Sequence, residues 1–311
     1  MEQISTELKN LKNNYNQENF IRDCIEGIVC QKTNFPFQFI ISDDCSTDGT
    51  RDIIEEYRKK YPDIIKPIYR EKNLGPMDNF VQTLNEAHTE YVALCDGDDF
   101  WTNENKLQIQ VDYLDKHKDF SICCHMTKIF FEDNSEKPTY YPTEMKEDSD
   151  FSDFMKGNFL AANTVVYRWL FQKKDSFVKA FPKNIIPGDF YVHLMHGKQG
   201  KIHYINMPMS CYRRQENGMW YGTSKPEFKL KFYLKNGLKL INFYEEAEKN
   251  LDIDDDDFDN LKDWTIKETL NSAIKLNNKE LLEKLIDKYY KNCRYIFNEY
   301  SLELKSFEKM K

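Results

Sequence analysis

Two hydrophobic periods alternate along the first two thirds of the chain. Short continuous apolar runs at 37–42, 64–69, 90–94, 120–131 and 163–167 predict buried strands, and 201–206 and 209–213 predict two more. Between them apolar residues recur at helical spacing. One face carries Phe20, Ile21, Cys24, Ile25, Ile28 and Val29. Later faces carry Ile53, Ile54 and Tyr57; Phe80, Val81, Leu84 and Ala87; and Leu107, Val111 and Leu114. Thr47, Asp48 and Asn103 are candidate helix caps, and Pro76 suits a first helical turn. Gly188-Asp189 opens a further helix with Tyr191, Leu194 and Met195. Strand alternating with helix predicts an α/β fold: a Rossmann-like, mostly parallel sheet with helices on both faces.

Three stretches break this rhythm. Residues 132–150 are polar, with Pro138 and Pro142, and predict a surface loop placed to serve as a flap over an acceptor. Residues 1–14 are mostly polar, with Ile4, Leu8 and Leu11 at helical spacing. A central parallel strand should be almost continuously apolar. The first strand is therefore either forced into the sheet by its neighbours or missing. Beyond Ser224 the chain turns to Lys, Glu and aromatics and predicts helices near 226–249, 256–276 and 278–298. The expected division is a domain over 1–223 and a C-terminal helical appendage over 224–311.

The chain has 311 residues, is 40% hydrophobic and 31% charged, and carries a net charge of −8. This fits a globular protein with a sizeable core and argues against general nucleic-acid binding, which needs a basic face. No apolar run is long enough to cross a bilayer, and the N-terminus lacks a signal-like segment. The eight cysteines form no CxxC pair, which favours buried thiols and a cytoplasmic setting.

The candidate chemistry lies at two acidic strand ends. Tyr91-Val92-Ala93-Leu94 runs into Cys95-Asp96-Gly97-Asp98-Asp99-Phe100-Trp101, and Phe39-Ile40-Ile41 into Ser42-Asp43-Asp44. Ligands of open α/β sheets bind beyond the carboxyl ends of strands. Clustered carboxylates repel one another, and a hard divalent cation relieves that repulsion. Magnesium is usually held by one or two carboxylates with substrate phosphates beside them. The plainer alternative is a solvated acidic turn at each strand end.

The ordered set Tyr15-Asn16-Gln17-Glu18, Asp43-Asp44-Cys45-Ser46-Thr47-Asp48-Gly49-Thr50, Asn73-Leu74-Gly75, Asp96-Gly97-Asp98-Asp99-Phe100-Trp101, Gly188-Asp189 and Tyr212-Arg213 resembles family 2 glycosyltransferases of the GT-A type over roughly 15–222. The resemblance implies a nucleotide-diphosphate sugar as donor and Mg2+ or Mn2+ as cofactor. Asp98 is the leading metal ligand, with Asp96 assisting there or at the ribose and Asp99 in reserve. Asp44, with Asp43 beside it, is expected at the base or ribose and Tyr15 against the base. Asn73, Arg213 and Trp220 complete the expected substrate-binding set, Arg213 as a phosphate partner. Asp189 is the expected general base of an inverting transfer to a hydroxyl of a glycan or lipid-linked acceptor, in assembly of a surface polysaccharide.

Each role has a structural alternative. Asp43 and Asp44 can cap the following helix, Asp189 can complement a helix N-terminus, and Arg213 can sit in a salt bridge. Gln215 departs from the pattern, since relatives often carry His there. A degenerate member that binds a sugar nucleotide or a partner without turnover remains open. So does a receiver-like signalling domain, suggested by the paired Asp at a strand end. Lys225–Lys239 interleaves lysines with Phe228, Leu230, Phe232 and Leu234 and suits either packing on the domain or peripheral contact with an anionic membrane.

Overall fold

The computed structural model describes residues 8–215, 218, 220–221, 225–254, 257–291, 293–301 and 304, with the side chains of 8–14 outside that description. In chain order the elements are β1 (Leu8–Asn14), α1 (Ile21–Val29), β2 (Phe37–Asp43), α2 (Thr50–Lys60), β3 (Ile65–Tyr69), α3 (Pro76–Leu84), β4 (Tyr91–Leu94), β5 (Phe100–Trp101), α4 (Lys106–Lys116) and β6 (Phe120–Phe131). Then follow β7 (Thr139–Tyr141), β8 (Asp148–Ser149), β9 (Val166–Arg168), α5 (Ser176–Ala180), α6 (Gly188–Gly197), β10 (Lys201–Arg214), α7 (Pro226–Leu251), α8 (Asp259–Lys275), α9 (Lys279–Tyr289) and α10 (Arg294–Asn298).

The chain divides into two compact units. The first comprises Met1–Phe154, Asn158–Pro182 and Gly188–Gln215, and the second Met155–Gly157, Lys183–Pro187 and Glu216–Lys311. The sheet of the first unit has the order β3-β2-β1-β4-β9-β6-β10-β5. Strands β3, β2, β1 and β4 run parallel, as do β6 and β10. Strand β9 runs antiparallel to both β4 and β6. Alternation along β2 sorts the faces. Phe39 and Ile41 join the apolar cluster of α1, α2 and α4, while Ser42 Oγ meets Asn79 Oδ1 of α3 at 2.6 Å on the other face.

Of the two outcomes expected for the N-terminus, a strand forced into place is the one found. Leu8–Asn14 pairs with Phe37–Asp43 residue for residue on one side and with β4 on the other. The strand is therefore not missing. A central position satisfies its backbone donors and acceptors on both edges, which propensity alone would not predict.

Other boundaries move for local reasons. The two strands expected at 201–213 are one, β10, with register shifts against β6 around Pro208, which lacks the N–H a regular ladder needs. The strand expected at 163–167 is shortened to β9, because 162–164 form a 3₁₀ turn. The 132–150 loop contributes β7 to β6 and β8 to β10. In the second unit the last predicted helix is two, α9 and α10. Ile241 of α7, Leu270 of α8 and Leu285 of α9 share one core there. Gly237 lets α7 approach α8, since a Cβ there would stand 2.2 Å from Thr269 Oγ1.

Candidate active site

Strand β2 delivers two carboxylates to its carboxyl end. Asp43 is fully buried, and its Oδ2 accepts from Arg51 Nε at 2.5 Å and from the Ser46 N–H at 3.1 Å. Its Oδ1 is buried with no partner among the described residues. A buried acceptor left unpaired is costly, and such a group calls for a reason. Asp44 accepts from the N–H groups of Leu74 (2.7 Å) and Gly75 (2.8 Å), so it fixes the loop that enters α3. Exposed Asn73 also takes the Gly75 N–H through its Oδ1, at 2.9 Å. Gly75 has φ of 84°, a conformation that favours glycine.

The turn after β1 binds the segment after β2. The Asn16 N–H donates to Ser46 Oγ, Asn16 Oδ1 accepts from the Thr47 N–H, and Glu18 Oε2 accepts from the Gly49 N–H. The first two motif segments are thus one piece of structure. Tyr15 stands exposed beside it. Sequence reasoning missed Arg70, directly after β3. Its Nε donates to Asn79 Oδ1 at 2.9 Å, while one of its terminal nitrogens is buried and unpaired among the described residues. The signal was there: a cation at the third parallel strand end.

Strand β4 ends at the acidic turn. Asp96 is exposed, Asp98 half-buried and Asp99 buried. Asp99 Oδ1 accepts from the Arg213 N–H at 2.9 Å, and its Oδ2 is buried and unpaired among the described residues. Burial, then the charges of Asp98 and Asp96, push the Asp99 carboxyl well above the ordinary range. Asp98 Oδ2 accepts from Gln215 Nε2 at 3.1 Å. Arg213 is buried over the rings of Phe20, Phe100 and Phe130. Its guanidinium donates to the Asp98 carbonyl (2.8 Å), to Asp23 Oδ2 (2.7 Å) and to Glu132 Oε2. The expected phosphate partner is therefore spent on a salt-bridge cluster that holds the acidic turn.

Among the described residues no three His, Cys, Asp or Glu side chains form a ready cation cage. The carboxylates present still fit a hard cation: Asp96 is accessible, Asp99 keeps a bare buried oxygen, and such ions take few protein ligands when phosphates supply the rest.

A buried network stands behind this turn. Trp101 Nε1 donates to the Asn163 carbonyl (3.0 Å), and Asn163 Nδ2 to the Cys211 carbonyl of β10 (3.1 Å). Lys106 is wholly buried, with Nζ 4.1 Å from the Trp101 ring centroid and 2.8 Å from Gln110 Oε1. Helix α1 reaches the same turn through Gly27, where a Cβ would lie 2.6 Å from the Trp101 carbonyl oxygen.

Asp189 lies in the first turn of α6. A Cβ on Gly188 would come within 2.5 Å of Met77 Cε and 3.1 Å of Phe80 Cε1, so glycine lets α6 start against α3. Helix α3 in turn begins at the loop that Asp44 holds. Burial raises the Asp189 carboxyl, opposed by the N–H groups of Phe190 and of Asp189 itself. Tyr141, in the segment expected to be a flap, is pushed up to about 12 by burial and by the Asp189 charge. Tyr141 is a second residue that sequence reasoning did not single out. Trp220 falls in the second unit, where its ring meets Phe232 at 5.0 Å.

A family model described as "Glycosyl transferase family 2" matches residues 14–215. An uncharacterized protein of Mycobacterium tuberculosis is 39% identical over 209 residues, 67% of this chain and 59% of that protein. The chain thus spans under two thirds of that relative's length. The putative teichuronic acid biosynthesis glycosyltransferase TuaG of Bacillus subtilis is 37% identical over 100 residues, 32% of this chain and 38% of TuaG. Among solved structures, S. aureus TarS 1-349 in complex with UDP-GlcNAc aligns with a TM-score of 0.58 at 19% identity, over 90% of this chain and 79% of that one. That likeness concerns the fold, a GT-A-type sheet with added helices. With a family match over residues 14–215, most of the first unit and more than half of the chain, the chain belongs to glycosyl transferase family 2.

Proposed function

We propose that this chain is an inverting, metal-dependent glycosyltransferase. It moves a sugar from a nucleotide-diphosphate donor to a hydroxyl of a glycan or lipid-linked acceptor, in polysaccharide assembly on the cytoplasmic face of a membrane. The observation that carries the reading is a pair of buried carboxylates, Asp43 and Asp99, each with one bare oxygen. They stand at the carboxyl ends of β2 and β4, the two strands flanking β1. Such unpaired acceptors are what a nucleoside and a cation-bound diphosphate would satisfy.

Asp96, Asp98 and Asp99 would hold Mg2+ or Mn2+, which when bound stabilises the charge left on the departing diphosphate. Asp43 and Arg70 face the nucleoside end, with exposed Tyr15 beside the base. Asp44 and Asn73 set the loop entering α3 and so act on the donor through the backbone. Arg213 positions the acidic turn. Asp189 takes the proton of the acceptor hydroxyl as its oxygen attacks the anomeric carbon. A raised pKa makes it the stronger base, provided it is ionised at the working pH.

One observation favours a second reading. The Gln215 amide donates to Asp98, the expected ligand, at a position where relatives often carry His. On that reading the chain binds a sugar nucleotide without turnover. Calorimetry of UDP with and without Mn2+, beside assays of donor hydrolysis and sugar transfer, separates the two. Transfer that is abolished by chelator and by Asp98→Ala, with UDP binding dependent on Mn2+, supports the enzyme. Tight binding with neither hydrolysis nor transfer supports the binder, and activity unchanged in excess chelator overturns metal dependence.

A further inference from the structure

The second unit carries a one-sided basic stripe. At 100° per residue, Phe228, Lys231, Lys235, Lys239 and Asn242 of α7 fall within a wedge of about 80°. Phe228 and all three lysines are exposed. Asn242 Nδ2 donates to the carbonyls of Lys183 (3.2 Å) and Asn184 (3.3 Å), which brings exposed Lys183 to the same side. Lys225 precedes the helix at the Phe228 end, over the Tyr221 ring. Among the described residues Lys183, Lys225, Lys231, Lys235 and Lys239 form no ion pair. Several other lysines of this unit do, among them Lys229 with Glu268, Lys262 with Glu248 and Lys288 with Glu245. The acids of α7 sit away from the middle of the stripe. Glu227 and Glu245 lie off the wedge, and Glu246 lies beyond its far end, bonded to Asn250.

We infer that this face of α7 docks on an anionic phospholipid surface, with the lysine ammonium groups at the headgroup phosphates and Phe228 inserted at the interface. The argument is charge complementarity. A chain with net charge −8 is repelled by an anionic bilayer unless its cations are gathered on one side, and here unpaired lysines are so gathered, with an exposed aromatic at one end. Clusters of four to eight such cations beside an apolar anchor suffice for reversible attachment, with a gain on the order of fivefold per lysine. The inference deepens the membrane setting proposed above. Vesicle binding reads it without any transfer chemistry, so either can fail alone.

The test is co-sedimentation of the full chain with phosphatidylcholine vesicles, with and without phosphatidylglycerol. Binding is expected only with phosphatidylglycerol, and it should be released as salt shortens the Debye length. The variant Lys231→Glu/Lys235→Glu/Lys239→Glu should lose more than about tenfold in partitioning. The charge-matched control Lys116→Glu/Lys137→Glu/Lys173→Glu should lose far less. Should the α7 triple variant not fold, the three single variants and the salt response of the wild type decide. Equal binding to both vesicle types, equal losses in both triples, or binding indifferent to salt overturns the inference. Retention on inorganic polyphosphate without vesicle binding also overturns it and gives the stripe to a polyanionic glycan.

Discussion

Asp189 begins a helix, where the dipole and two N–H groups favour its ionised form, yet burial outweighs them and raises its pKa. If Asp189 is the base, it is switched off as pH falls through a pKa raised above its ordinary value by burial. The acidic limb of kcat should lie correspondingly high. Asp189→Asn should spare donor binding, lower kcat by about 100-fold or more, and abolish that limb. A loss of donor affinity at normal turnover would make it a binding residue instead. Lys106 is the other residue whose charge is uncomfortable: burial brings its pKa down to about 7. Between that value and the unfolded-state value of ~10.4 the unfolded chain binds the extra proton, so stability rises with pH over this window, and the cost is fully present below it. Of the thiols acting on it, Cys123 and Cys124 are pushed up by burial and so do little to neutralise it. Lys106→Met should remove that pH dependence, seen as a smaller rise in Tm from neutral to alkaline pH than in the wild type. At this scale the sequence points to the acids, because carboxylates crowded at strand ends are visible without coordinates. It allows a salt bridge at Arg213 but does not foretell its partners, Asp23 and Glu132, since neither is near it in sequence.

Among the elements, α1 meets β5 closely, backbone against backbone. Gly27→Ala would place a Cβ against the Trp101 backbone, and backbone cannot swing aside as a side-chain tip can. Overpacking of this kind costs about 1–3 kcal/mol. Urea unfolding should show that loss, and, on the proposed function, transferase activity should fall with it because the Asp96–Asp99 turn leads into Trp101. An unchanged midpoint with full activity would mean that α1 can move freely. Strands β2, β3, β4 and β6 and helices α1 to α4 follow from hydrophobic period, which local residues supply. Strand β1 and the continuity of β10 do not. The first draws its place from partners on both edges, and the second spans Pro208 by shifting register.

For the whole molecule, the alternation of strand and helix carried the α/β class, and the change in composition near Ser224 marked the helical region. The antiparallel insertion of β9 between β4 and β6 was beyond local pattern, because strand order is a property of long-range pairing. Donor binding should be felt through the sheet as well as at its edge. A ligand bound only by the folded state stabilises what it touches. Amides of Leu8–Asn14, the strand between the two acidic ends, should exchange more slowly with UDP and Mn2+ than without. Equal exchange in both would place the nucleotide elsewhere.

Asp44 holds Leu74 and Gly75, that loop starts α3, and Met77 of α3 rests on Gly188 beside Asp189. If Asp189 is the base and the 73–77 loop lies against the donor, as proposed above, the two roles are mechanically joined through a single helical turn. An engineer who grafts a different 73–77 segment to change nucleotide preference will retune turnover in the same stroke, and natural variation in the two traits should be correlated rather than independent.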